Sequence, residues 1–375
     1  MSPFRLESCV RPNILALKPY RCARDDYKDD GTNILLDANE NAYGPSVSAP
    51  PGLGFDPRNL HRYPDPHQLD LKRQLCRLRN TGAHTDKPLT PEHIFVGVGS
   101  DEAIDVLLRC FCVPGRDHIL TCPPTYGMYA VSAQVNDVGI IRVPLGPAPD
   151  FAVDVPSVTA ALDDASSNIK VVYLCSPGNP TGSLLSTTQI DKILAHPTWN
   201  GIVVVDEAYI DFATAESASL AQLAPYNVST PTAALASAAL SEAGLSVMRL
   251  NRQRILDQRD RLLGELPLIP GIGRLRGGTD ANFLLFEMLD AAGRPDNATA
   301  LAVYEGLAQS ERVVVRFRGS EHGCLGCLRI TVGTEQEVTA LLRSLRLRLA
   351  EVRKAAPAVG EEETAKEVAA NGVVA

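Results

Sequence analysis

Two stretches decide the fold: Val171-Val172-Tyr173-Leu174-Cys175-Ser176-Pro177-Gly178-Asn179-Pro180-Thr181-Gly182 and Ile202-Val203-Val204-Val205-Asp206-Glu207-Ala208-Tyr209. Each opens as an unbroken apolar run and stops abruptly at polar or turn-forming residues. Continuous rather than alternating apolar character marks a strand covered on both faces, as in a parallel sheet. Working outward, Ile94–Val98, Ile119–Cys122 and Ile140–Val143 read as further strands bounded by Gly, Pro and Asp. Between them Asp101–Cys112, Tyr126–Asn136, Ser157–Ala165 and Thr187–His196 carry helical patterns with capping residues at their starts. This alternation predicts an α/β fold with a mostly parallel sheet and helices on both faces. Ligands of such sheets sit beyond the carboxyl ends of the strands.

The pattern changes after Pro231. A long helical stretch from Ala233 to about Leu266 leads to strands at Phe283–Glu287, Val313–Phe317 and Leu328–Val332, then to a last helix, Glu335–Val352. These predict a smaller α+β domain. The expected organisation is an N-terminal arm with part of the small domain (1–45), a large ligand-binding domain (46–250), a small domain (251–352) and a disordered tail (353–375). The chain has 375 residues and a net charge of −8, which argues against nucleic-acid binding. No apolar run spans a bilayer and no secretory signal opens the sequence, so the expected location is the cytoplasm. The nine cysteines have no framework spacing and read as reduced thiols. His322, Cys324 and Cys327 form an H-x-C-x-x-C run, but no second pair completes a tetrahedral metal site, and no metal is expected.

Four clusters fall at strand ends. Gly97-Val98-Gly99-Ser100-Asp101-Glu102 turns a strand into a helix, where free N–H groups and the helix dipole favour a phosphate; Ser100 and Asp101 serve equally well as plain N-caps. Pro123-Pro124-Thr125-Tyr126 offers an aromatic ring for a flat ligand, or a core aromatic at a helix start. In Ser176–Gly182 the Pro and Gly residues fix a tight turn that holds Asn179 at the sheet rim. In Val205-Asp206-Glu207-Ala208-Tyr209 an apolar strand ends on a carboxylate that needs a partner: a protonated ring nitrogen, or the N–H groups of a following turn. Together the four supply what pyridoxal 5'-phosphate requires.

The chain resembles the histidinol-phosphate aminotransferase family of fold-type I pyridoxal-phosphate enzymes. The matching runs are Arg11-Pro12-Asn13-Ile14, Leu36-Asp37-Ala38-Asn39-Glu40-Asn41 and Leu60-His61-Arg62-Tyr63-Pro64-Asp65. They continue through the four clusters to Gly277-Gly278-Thr279-Asp280-Ala281-Asn282-Phe283 and Cys327-Leu328-Arg329-Ile330-Thr331-Val332-Gly333. The resemblance implies that Asp206 pairs with the pyridine nitrogen, Asn179 and Tyr209 contact the ring hydroxyl, and Tyr126 stacks on the ring. It implies a phosphate held at Ser100 and Asp101, with Tyr63 reaching in from the other subunit of a homodimer. Arg316 and Arg329 would bind the acidic groups of glutamate or 2-oxoglutarate and the phosphate of histidinol phosphate, with Tyr20 and Asn39 lining the substrate side. The reaction implied is the transamination between histidinol phosphate and 2-oxoglutarate in histidine biosynthesis. Aromatic aminotransferases and phosphothreonine decarboxylases share the fold, and a non-catalytic binding protein is the alternative of another class.

The resemblance breaks at one place. The family carries its Schiff-base lysine in a Ser-Lys-x-x-Gly-x-x-Gly-x-Arg run after the aspartate strand. Here Tyr209-Ile210-Asp211-Phe212 passes through 213–223 directly to Ala224-Pro225, and no lysine occurs between Lys192 and Lys354. Two strands, the lysine turn and part of a helix are missing, about 40 residues at ordinary element lengths. The expectation is a chain with no catalytic residue, inactive and poorly folded.

Overall fold

The computed structural model describes residues 4–18, 64–65, 67–80, 88–213 and 230–355. Tyr20, Asn39, Tyr63 and the junction at 214–229 lie outside the described residues.

The first sheet contains β1 (His118–Thr121), β2 (Gly139–Arg142), β3 (Ile169–Cys175) and β4 (Ile202–Asp206) in the order β2-β1-β3-β4, all parallel. Its helices are α1 (Leu69–Arg79), α2 (Gly99–Phe111), α3 (Met128–Val135), α4 (Val155–Asp163) and α5 (Thr187–Leu194). The period-two geometry of β3 divides its side chains between two cores. Val172 and Leu174 pack with Val158, Ile190 and Ile193 of α4 and α5. Val171, Tyr173 and Cys175 pack with Ile104, Leu108 and Tyr129 of α2 and α3. The apolar run is thus buried on both faces, as its composition requires.

Strand β4 has the same composition but is only half-buried along its whole length. Among the described residues its outer edge pairs with no strand. The strand expected at Ile94–Val98 does not form: a short turn, Pro91–His93, is followed by irregular chain up to α2, and Val98 is 75% exposed. A strand exists only as one side of a ladder, and no described segment pairs with this one.

The stretch expected as one helix from Ala233 is two, α6 (Thr230–Ala239) and α7 (Glu242–Glu265). The break is local chemistry. Ser241 leaves helical geometry, accepts from the Gly244 N–H at 3.2 Å and donates to the Ala238 carbonyl at 2.7 Å. The second sheet is antiparallel, in the order β5-β6-β8-β7: β5 (Ile272–Leu275), β6 (Phe283–Met288), β7 (Arg316–Phe317) and β8 (Cys327–Thr331). Leu284, Phe286, Leu328 and Ile330 face α8 (Asn297–Ser310), α9 (Glu335–Ala355) and the end of α7 in a separate core. Only Arg316–Phe317 of the expected Val313–Phe317 is in the ladder, and the last helix runs on to Ala355.

The two sheets meet beside the end of β3. The Gly278 N–H donates to the Thr181 carbonyl and the Asp280 N–H to that of Gly182, both at 2.9 Å. A Cβ at Gly277 would lie 1.7 Å from the Thr181 oxygen, so only glycine lets these backbones approach. The exit from β4 is held by guanidinium groups. Arg79 of α1 grips Asp211 with two hydrogen bonds, 2.6 and 2.9 Å. From α7, Arg252 donates to the Asp211 and Ala213 carbonyls and Arg259 to those of Phe212 and Ala281.

Candidate active site

Asp206 ends β4 beside Cys175 of β3. Its carboxylate accepts from the Tyr129 hydroxyl at 2.7 Å and from the Ala208 N–H at 3.1 Å. Tyr129 is fixed by stacking on Tyr173, ring centroids 4.6 Å apart, and meets Tyr126 edge-on at 5.6 Å. Burial foremost, then the Asp206 charge, pushes the Cys175 thiol up to about 12. Burial and the neighbouring charges also raise the Tyr129 phenol, so both groups stay neutral and the phenol remains a donor.

Tyr126 donates to Asp101 at 3.0 Å. Burial and that carboxylate raise its phenol to about 12. Ser100 and Asp101 lie within the first turn of α2, which starts at Gly99 with a positive φ of 77°. The corner already holds one anion of the chain's own: the Glu102 carboxylate accepts from the Val98 N–H.

Asn179 is buried at the rim turn. Its Oδ1 accepts from Arg329 at 2.6 Å and from Arg318 at 3.5 Å, and its Nδ2 lies 3.5 Å from the Tyr209 hydroxyl. The Phe283 ring at the start of β6 packs edge-on to Tyr209 at 5.1 Å and lies beneath the Arg329 guanidinium at 5.2 Å. Burial, then the neighbouring Arg318 charge, lowers Arg329 from its ordinary value. Arg316 is exposed but lies directly opposite Arg329 in the β7–β8 ladder.

The structure therefore brings Asp206, Asn179, Tyr209 and Arg329 together, with Tyr126 and Asp101 reached through Tyr129. Sequence reasoning gave neither Tyr129 nor Arg318 a role of its own, although both lie in runs that it singled out. Tyr126 and Tyr129 are spaced i, i+3 at a helix start, and Arg316-Phe317-Arg318 has the two-residue period of a strand, so both were open to pattern reading. Cys324 and Cys327 are fully buried, their thiols donating to backbone carbonyls of His322 and Leu325. Lys170 is the second residue of β3, at the opposite end from Cys175, about 16 Å away at strand rise. Lys192 lies in the last turn of α5.

A carboxylate closing a parallel strand, an amide at the rim and an aromatic beside a helix N-terminus define the class. The profile of the class I and II aminotransferases matches residues 32–225 and 216–345, most of the chain. Among curated relatives, the histidinol-phosphate aminotransferase of Schizosaccharomyces pombe is 46% identical over 390 aligned positions, covering 93% of this chain and 98% of its own. That of Saccharomyces cerevisiae is 41% identical, covering 91% and 96%. The chain belongs to the histidinol-phosphate aminotransferase family. The fold agrees with the crystal structure of the Sinorhizobium meliloti histidinol-phosphate aminotransferase in complex with pyridoxal-5'-phosphate. Its TM-score is 0.66 at 20% identity, over 84% of this chain and 90% of that one.

Proposed function

We propose that this chain is a histidinol-phosphate transaminase scaffold, built to interconvert histidinol phosphate and 2-oxoglutarate with imidazole-acetol phosphate and glutamate, whose lysine-bearing segment is lost. The carrying observation is the placement of Asp206, Asn179, Tyr209 and Arg329 around one rim within this family. Asp206, oriented by Tyr129, is suited to hold the proton on a pyridine nitrogen. Asn179 and Tyr209 face a ring hydroxyl, and Tyr126 with the α2 terminus takes the ring and phosphate side. Pyridoxal phosphate, when bound, supplies the electron sink for the α-carbon of the amino substrate. Arg329 takes a substrate anion, since a guanidinium fork matches a carboxylate or phosphate.

The donor set fits the cofactor's non-covalent contacts and not its covalent one. Three observations support loss at 213–224: no lysine from 193 to 353, a family match in two pieces that overlap at 216–225, and an alignment of 390 positions to a relative that takes in only 93% of the 375 residues here. The half-covered β4 and an Ile94–Val98 segment unpaired among the described residues fit a sheet missing neighbouring strands. In this reading the chain does not transaminate. The retained anchors favour a second reading, a non-catalytic binder of the same ligands. Large and small domains over 46–250 and 251–352, a cytoplasmic location, and a homodimer in which Tyr63 serves the partner's site complete the proposal.

Incubating the chain with pyridoxal phosphate, reducing with borohydride and mapping peptides by mass tests it. The expected result is no adduct at a defined lysine and no glutamate-dependent turnover. A single reduced lysine with turnover overturns it. Sequencing the transcript across the codons for Phe212 to Pro225 separates a skipped in-frame segment from a true non-catalytic binder.

A further inference from the structure

We propose that Arg318 is the guanidinium that makes this anion pocket prefer a phosphate ester over a carboxylate. The inference rests on the transaminase reading of the pocket and gives Arg318, which the resemblance places only within the run Arg316-Phe317-Arg318-Gly319, a role of its own. The β7 register sets Arg316 opposite Arg329, and the Arg318 N–H donates to the Cys327 carbonyl at 2.9 Å, continuing the ladder by one residue. Strand alternation then places Arg316, Arg318 and Arg329 on one face.

Arg318 is divided between two partners. Its Nη1 is committed to Glu321 at 2.6 Å, while its Nη2 lies 3.5 Å from the Asn179 oxygen that Arg329 already holds at 2.6 Å. The Nε atoms of Arg318 and Arg329 are both buried and have no partner among the described residues. Buried guanidinium donors are seldom left unmade, and two at one rim call for an acceptor richer than an amide oxygen. The charge count agrees. Arg316, Arg318 and Arg329 against Glu321 leave two positive charges, which match a phosphate monoester near neutral pH. A carboxylate has one charge and two oxygens, and a single fork from Arg329 satisfies it. The third oxygen and second charge of a phosphate are what Arg318 serves, with Glu321 as its positioning partner.

Calorimetric titration of the full chain with histidinol phosphate, histidinol and glutamate tests this, at fixed ionic strength because exposed charges are screened by salt. For Arg318→Gln, histidinol phosphate affinity is expected to fall about tenfold or more, with glutamate and histidinol changed less than about twofold. Arg318→Lys, which keeps the charge, is expected to recover part of the loss, and Arg329→Gln to weaken both anions. Should Arg318→Gln lose its fold because Glu321 is left unpaired, the double variant Arg318→Gln/Glu321→Gln gives the same comparison. Equal loss for phosphate and carboxylate ligands, or no loss for either, overturns the role of Arg318 alone. Failure of the unsubstituted chain to bind histidinol phosphate overturns the transaminase reading and this inference with it.

Discussion

Tyr129 is the residue on which the geometry of Asp206 turns. Its hydroxyl is the side-chain donor to that carboxylate, and stacking on Tyr173 leaves it little freedom to do anything else. A hydrogen bond to a charged group contributes about 1.5–3 kcal/mol, so Tyr129→Phe is expected to lower stability within that range, read as a shift in urea midpoint. Asp117 carries a pH dependence of its own. It is buried before β1, where burial alone would raise its carboxyl, but the Arg116 guanidinium and the Val113 N–H outweigh burial and hold it below 3.8. A folded pKa below the unfolded one gives stability that is present above the unfolded value and lost as pH falls through the folded one. Asp117→Asn is therefore expected to lower stability at neutral pH and to flatten its decline below about pH 4, measured by thermal unfolding across pH. Asp206 and Asn179 were legible in the sequence because each closes an apolar run at a fixed place. Tyr129 was not singled out, because a tyrosine inside a helix reads first as core, and core is also what it is.

Strands β1 to β4 were legible at the level of the element because β-branched runs between turn residues leave few alternatives. Ile94–Val98 has the same look and is not a strand, since its local preference is right but no segment among the described residues pairs with it. The strand β5 escaped for the opposite reason: Gly273 and Arg274 interrupt Ile272–Leu275, and its pairing with β6 is long-range. The helix α8 also went unread, although Asp296 caps it by accepting from the Thr299 N–H at 2.7 Å. If the segment after β4 supplies the missing partner, amides of Ile94–Val98 should exchange with deuterium rapidly in this chain. With the corresponding segment of the fission-yeast relative spliced after Phe212, protection should rise by at least about tenfold. Unchanged exchange would mean that Ile94–Val98 is irregular for reasons of its own.

The second sheet and its helices own a core of apolar residues separate from the cores of the parallel sheet, so the loss proposed after β4 would fall on one side of the molecule. The contact at Gly277 and the Phe283–Tyr209 packing bring that side to the rim of the parallel sheet. Arg318 and Arg329 thus stand at that rim beside Asn179, where the proposed function has a substrate anion bind. The molecule is expected to separate binding from turnover, which calorimetry and a glutamate-coupled assay on the same preparation would read. Among the described residues no helix is long and apolar enough to cross a membrane.

The arginine clamp on the exit of β4 bears on how the polypeptide tolerates being cut. Arg79 belongs to the N-terminal side of the break, whereas Arg252 and Arg259 reach Asp211, Phe212 and Ala213 from the C-terminal side. Two separately encoded fragments, 1–213 and 214–375, should thus find each other without a covalent link, at the cost only of making a unimolecular closure bimolecular. Coexpressed with an affinity tag on one fragment, they are expected to co-purify in equal amounts. Arg252→Ala combined with Arg259→Ala should lower the amount of untagged partner retained. Such a split molecule would accept a third piece at the cut, making the junction a docking point at which sequence can be added without rebuilding either half.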